Sequence, residues 1–270
     1  MIYEGTPTIT DYLQYTGSKE FREIESFSNG FQAKACHLLE SYKRRWVTDP
    51  LHQWSRQWEY PYIIGQAKSL KGKGLKALDL GSGITFLPYY LLKKTGISSI
   101  VALDYDQSLG PLFASVNQAI GEEVKFRFED IRELDLHEDG YDFIYSVSVL
   151  EHTDNYADII QNCHDLLKPG GKFSITFDIS LDGNDDMSVA EARQLLECLR
   201  SIFGIDEDLT GYLDFTEGTV TSSYVAEKIS RDLTPWRFPM VNIIKPLFRH
   251  GRLGTKYKQL TFCCLTVQKP

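Results

Sequence analysis

The stretch "LKALDLGSGITFLPYYLLKKTG", Leu75 to Gly96, decides the fold. An apolar run carrying one acid, Asp79, leads into Gly81, Ser82 and Gly83 and then into an amphipathic run. That is the layout of a strand, a tight turn and a helix. Glycine supplies the turn, and the first helical turn offers unpaired N–H groups to a ligand. A dinucleotide-binding loop would place a third glycine at position 86, where Phe86 stands. Asp79 would also repel a pyrophosphate in a confined site, whereas it suits a ligand with a cationic amino group. The loop therefore favours a zwitterionic ligand and disfavours an NAD-dependent dehydrogenase.

Working outward, short apolar β-type runs alternate with helical patterns from residue 76 onward. Strands are expected at 76–80, 99–104, 124–128, 141–147, 172–179 and 259–267. Helices are expected to begin near Thr85, Ser108, Asn155 and Ser188. Such alternation marks an α/β fold, a parallel sheet covered on both faces. "LLKPGGKF" reads as a helix end, a proline stop and a glycine turn before the fifth strand. No sixth strand can be placed between 204 and 258, although "TVTSSYVAEKIS" has a helical character. Residues 1–70 hold three of the four tryptophans and read as mostly helical. They are expected to form an N-terminal cap and part of the acceptor site, and residues 71–270 the core with an insertion at about 204–258.

"ALDLGSGITFLPYYL" resembles the first motif of the class I S-adenosylmethionine-dependent methyltransferases, with Thr85 in place of the third glycine. "VALDYD", "FRFEDIREL", "YDFIYSVSVLEHTDN" and "LLKPGGKFSITF" follow in the family's order, so the resemblance covers roughly residues 74–180. It implies a Rossmann-like, seven-stranded, mostly parallel sheet and S-adenosyl-L-methionine as cofactor. It also implies cofactor binding by Asp79, Gly81, Ser82, Gly83, Asp104, Tyr105, Asp130, Ile131 and Ser146. Asp104 would accept both ribose hydroxyls, Asp130 the adenine amino group, and the backbone near Ser146 would line the methionine part. Each of these acids ends a strand, where open parallel sheets hold their ligands.

In the resembling proteins the segment "LEHT" lies beside the transferred methyl, which makes His152 the candidate general base. Glu151 reads as structural. The aromatic cluster of the cap offers Tyr12, Trp58 and Tyr60 as acceptor contacts, because a lid over methyl transfer should exclude water. The bland reading of the same residues is cap core. "HED" (137–139) and "EHTD" (151–154) pair with no second ligand cluster, so no metal is expected.

Charge is uneven. Residues 71–203 carry 22 acids against 12 bases, and no acid follows Asp232. The basic stretch "RFPMVNIIKPLFRHGRLGTKYK" offers Arg249 and Arg252 to an anionic acceptor, against the bland reading of a solvated loop. A net charge of −8 argues against nucleic acid as the main partner. There is no apolar run of membrane-spanning length and no secretory pattern, and the five scattered cysteines read as reduced thiols, so a cytoplasmic protein is expected. The expected activity is methyl transfer to a small or medium-sized metabolite, first an O-methylation of a glycan-precursor or secondary-metabolite acceptor. An N-methyltransferase on a small amine and a non-catalytic S-adenosylmethionine-binding partner protein are the alternatives. The oligomeric state is not legible.

Overall fold

The computed structural model describes residues 2–43, 50–132, 140–185, 187–234, 243 and 254–270. The sheet grows from β1 (Leu75–Leu80), flanked by β2 (Ile97–Asp104) and β4 (Tyr141–Val147). β3 (Lys125–Phe128) lies outside β2, and β5 (Leu167–Ser180) outside β4. All these pairs are parallel, which explains the near-continuous apolar runs: such strands are buried on both faces. β7 (Leu260–Gln268) runs antiparallel to β5 from Lys172↔Gln268 to Ser180↔Leu260, completing a seven-stranded sheet. The strand order reverses between β1 and β4, and that switch point opens a crevice at their carboxyl ends.

One strand that the pattern left unplaced is located, and one expectation needs correction. The sixth strand, β6, is only Met187–Ser188, paired with Ile179 and Ser180. The segment "LKPGG" is also not a turn ahead of β5; it belongs to the strand, with a register shift opposite Tyr141–Phe143 and Gly170 at φ +76°. A bulge absorbs the extra residues without ending the strand. The "TVTSSYVAEKIS" segment is helical over Ser222–Tyr224 and Val225–Ile229.

Helices α5 (Leu87–Lys94) and α6 (Leu109–Ile120) cover one face, and α7 (Tyr156–Leu166) and α8 (Val189–Phe203) cover the other. The N-terminal helices α1 (Ile9–Thr16), α2 (Lys19–Ala35), α3 (Glu40–Lys43) and α4 (Arg56–Ser69) join the first layer. α4 is buried on nearly every side from Gln57 to Ile64, as expected for a helix without a polar face. It packs against β4, β5 and β7 directly. Its Trp58 and Ile63 therefore share one apolar layer with Ala77 and Phe143 of the strands. The cap is closed from the other side as well: Gly5 exchanges both backbone hydrogen bonds with Cys264, at 2.6 and 3.0 Å, pairing the outer side of β7. No helix among the described residues is long and apolar enough to cross a membrane.

Candidate active site

The glycine loop leaves β1 at the switch point. Gly81 and Gly83 have φ of +63° and +50°, a region that side chains other than glycine's rarely adopt. Neither has room for a Cβ: one on Gly81 would lie 2.6 Å from Val149 Cγ2, and one on Gly83 2.5 Å from the Tyr42 hydroxyl. The Gly81 and Ser82 amides both donate to the Leu103 carbonyl, at 2.9 and 3.1 Å, tying the loop to β2. Asp104 completes the tie. Its Oδ2 accepts from the Gly83 amide and its Oδ1 from the Asp106 amide, each at 3.0 Å.

Asp79, Asp104, Ser82 and Ser146 are all buried here. Burial pushes the Asp79 carboxyl well above the usual carboxylate range; the Tyr145 hydroxyl opposes this and the nearby Asp104 charge adds to it. Ser82 Oγ is buried without a hydrogen-bond partner. Ser146 is fully buried, its Oγ donating to the Leu80 carbonyl at 3.4 Å. Tyr105, after Asp104, is 70% exposed, and Phe128, in register with Asp104, is 54% exposed. Large exposed rings beside a buried acid form an open apolar wall. Asp130 lies beyond β3 and accepts from the Arg132 amide at 2.9 Å and from its Nε at 2.8 Å. Those bonds hold its carboxyl down, to about 2. Ile131, next to it, packs against the second apolar layer.

The exit from β4 forms the opposite wall. Ser148 has φ +50°, the one non-glycine residue at positive φ among the described residues. A short turn, Leu150–His152, follows, and exposes His152 at the same end of the sheet as the loop. Glu151 is buried: its Oε1 accepts from the Asp178 amide at 3.1 Å and its Oε2 meets no partner. Burial, then the Asp178 carboxylate, pushes the Glu151 carboxyl well up. Arg56 of α4 reaches this wall. Its Nη1 donates to Ser148 Oγ at 2.6 Å and to the Glu59 carboxylate, while Ser148 Oγ donates to Glu59 Oε1 at 2.9 Å. Burial pulls the Arg56 guanidinium down, but the Glu59 carboxylate outweighs it and the group is held above its ordinary value.

The cap residues separate into two sets. Tyr12 donates to the Trp54 carbonyl and Gln57 Oε1, and Trp58 packs edge-on against Tyr3 and Tyr15; both have the contacts of cap core. Tyr60 lies edge-on to Phe86 at the end of the glycine loop and feels the charges of Arg56 and Asp79. Arg249, Arg252 and the 137–139 stretch lie outside the described residues. Sequence reasoning missed Tyr42, Arg56, Glu59 and Ser148. Tyr42 accepts from the Ile84 amide at 3.1 Å, and its hydroxyl is pushed up to about 12 by burial, eased by that amide and reinforced by Asp104, Asp106 and Asp79. No local pattern marks these residues, because each acts across the fold.

Residues 78–175 match a family model described as a methyltransferase domain. A sterol 24-C-methyltransferase of Yarrowia lipolytica is 27% identical over 116 residues, 42% of this chain and 30% of that protein. A ubiquinone biosynthesis O-methyltransferase of Coxiella burnetii is 31% identical over 109 residues, 40% of this chain and 45% of that one. The chain thus spans less than half the length of each relative. Among solved structures, the [4+2]-cyclase SpnF matches with a TM-score of 0.54 and 17% identity, covering 89% of this chain and 94% of that one. The YcgJ protein of Bacillus subtilis matches with a TM-score of 0.51 and 13% identity, covering 78% and 97%. A likeness at this level is one of fold.

Proposed function

We propose, on the premise that the chain carries a class I S-adenosylmethionine-dependent methyltransferase domain, that it methylates a small or medium-sized acceptor, an oxygen nucleophile being the first reading. The observation that carries this is the glycine loop, tied through Gly83 to Asp104 at the switch point, with the orphaned Ser82 Oγ inside it. Ser82 Oγ has hydrogen-bonding capacity unused by the protein, and buried polar atoms rarely stay so. Burial raises the proton affinity of Asp79, and a cationic amino group beside it would favour the charged form again. An open wall of Tyr105 and Phe128 suits a flat base. The residues present fit the cofactor.

S-adenosylmethionine supplies an already activated methyl group on a sulfonium. The chain has to hold the two reactants in line and manage one proton. Asp79 would hold the amino group, Asp104 the ribose, Tyr105 the base and Asp130 its amino group, with Arg132 keeping Asp130 ionised. A nitrogen of His152 takes the proton from an acceptor hydroxyl at the rim. An anionic acceptor remains a proposal resting on Arg249 and Arg252.

Calorimetric titration with S-adenosylmethionine, S-adenosylhomocysteine and NAD tests the reading. Micromolar binding of the two adenosyl ligands, lost in Asp104→Ala, is expected; binding of NAD alone, or of none, would overturn it. Formation of S-adenosylhomocysteine with a panel of alcohols, phenols and amines then identifies the acceptor class. For a hydroxyl acceptor His152→Ala should slow turnover by about a hundredfold, whereas an amine that is already neutral needs little help.

A further inference from the structure

A serine at φ +50° persists only where its surroundings over-determine it. At Ser148 they do. Its amide donates to the Thr176 carbonyl at 2.9 Å, and its Oγ is held between Arg56 Nη1 and Glu59 Oε1. Arg56 and Glu59 are neighbours on one turn of α4; Glu59 is completely buried and the Arg56 side chain is only 17% exposed, so solvent competes little for their grip. The next residue, Val149, lies so close to Gly81 that no Cβ would fit between them. A chain of contacts therefore runs from the cap helix through the strained turn to the loop: Arg56 and Glu59, Ser148, Val149, Gly81.

We propose that Arg56 and Glu59 are positioning residues for the glycine loop, acting through Ser148, so that the cap fixes the geometry of the adenosyl site. The inference rests on the methyl-transfer reading only in taking that loop as the cofactor's seat. The backbone conformation of Ser148 is the quantity controlled. Alanine would keep the strain and lose the hydroxyl that holds it, whereas glycine would adopt the conformation unaided.

Ser148→Ala, Ser148→Gly and Glu59→Gln separate the possibilities, with two measurements on each full-length protein. In the ligand-free protein, hydrogen exchange of the 79–86 amides should quicken in Ser148→Ala and Glu59→Gln and stay near wild type in Ser148→Gly. Titration with S-adenosylhomocysteine should follow: about tenfold weaker for the first two, near wild type for glycine. Adding Ser148→Ala to Glu59→Gln should cost little more, because both cut one connection. Wild-type exchange in Ser148→Ala would overturn the proposal, as would equal loss in alanine and glycine, which would assign the hydroxyl a direct role. So would losses that multiply in the double variant. If the wild type fails to bind S-adenosylhomocysteine, the methyl-transfer reading falls, and the exchange data still decide the latch.

Discussion

Glu151 is a buried carboxyl with one oxygen on the Asp178 amide and the other enclosed without a partner. Burial and the Asp178 charge raise its proton affinity above that in the unfolded chain; backbone amides and Arg56 pull the other way and do not win. The folded protein therefore keeps a proton that the unfolded chain releases. Stability from this group is complete below the ordinary carboxylate range and is lost as pH rises towards the raised value. Glu151→Gln removes the titration and keeps an oxygen for the amide. It should melt a few degrees above wild type at pH 8, with the gap closing by pH 4. A variant that melts lower at pH 8 would mean that Glu151 is ionised and held by Arg56. Residues of this kind also mark the limit of sequence reading. Asp79, Gly81 and Gly83 share one local motif and Asp104 ends the next strand in another, so all four were legible, although what they bind is still a proposal. Arg56 and Ser148 meet across 92 positions, and no spacing records that.

At the scale of elements, legibility followed local chemistry. Ser188 Oγ accepts from the Glu191 amide at 3.3 Å while the Glu191 carboxylate accepts from the Ser188 amide at 2.7 Å, a complete capping box at the start of α8. Ser188→Ala should cost about 1 kcal/mol and lower the melting temperature by about 2–4 °C, leaving S-adenosylhomocysteine affinity unchanged. A changed affinity would show that α8 communicates with the site. The parallel strands were readable because burial on both faces makes them continuously apolar. β6 was not, since a two-residue strand has no period. The start of β5 misled because proline and two glycines signal a turn, whereas here they form a bulge inside a ladder.

For the whole molecule, the first seventy residues differ in composition from the rest and read as a cap on the sheet, and their packing joins them to it. α4 lies against β4, β5 and β7, and its side chains share a layer with the strands. A chain beginning at residue 71 would expose that face of the sheet to water. It should aggregate or show no cooperative melting, while the full chain should give one calorimetric transition with equal calorimetric and van't Hoff enthalpies. A soluble fragment 71–270 with its own sharp transition would make the cap an appendage.

The bridge between Gly5 and Cys264 has a further consequence, for the order of synthesis. On a ribosome the cap is made before the strands that α4 covers, and Cys264, the partner of Gly5, emerges long after Gly5 itself. Trp54, which packs edge-on against Phe262, must therefore wait, apolar and uncovered on that side, until β7 is made. Long-range closure of this kind is slow and invites wrong partners in the interval. Newly made chains should depend on chaperones until β7 is in place.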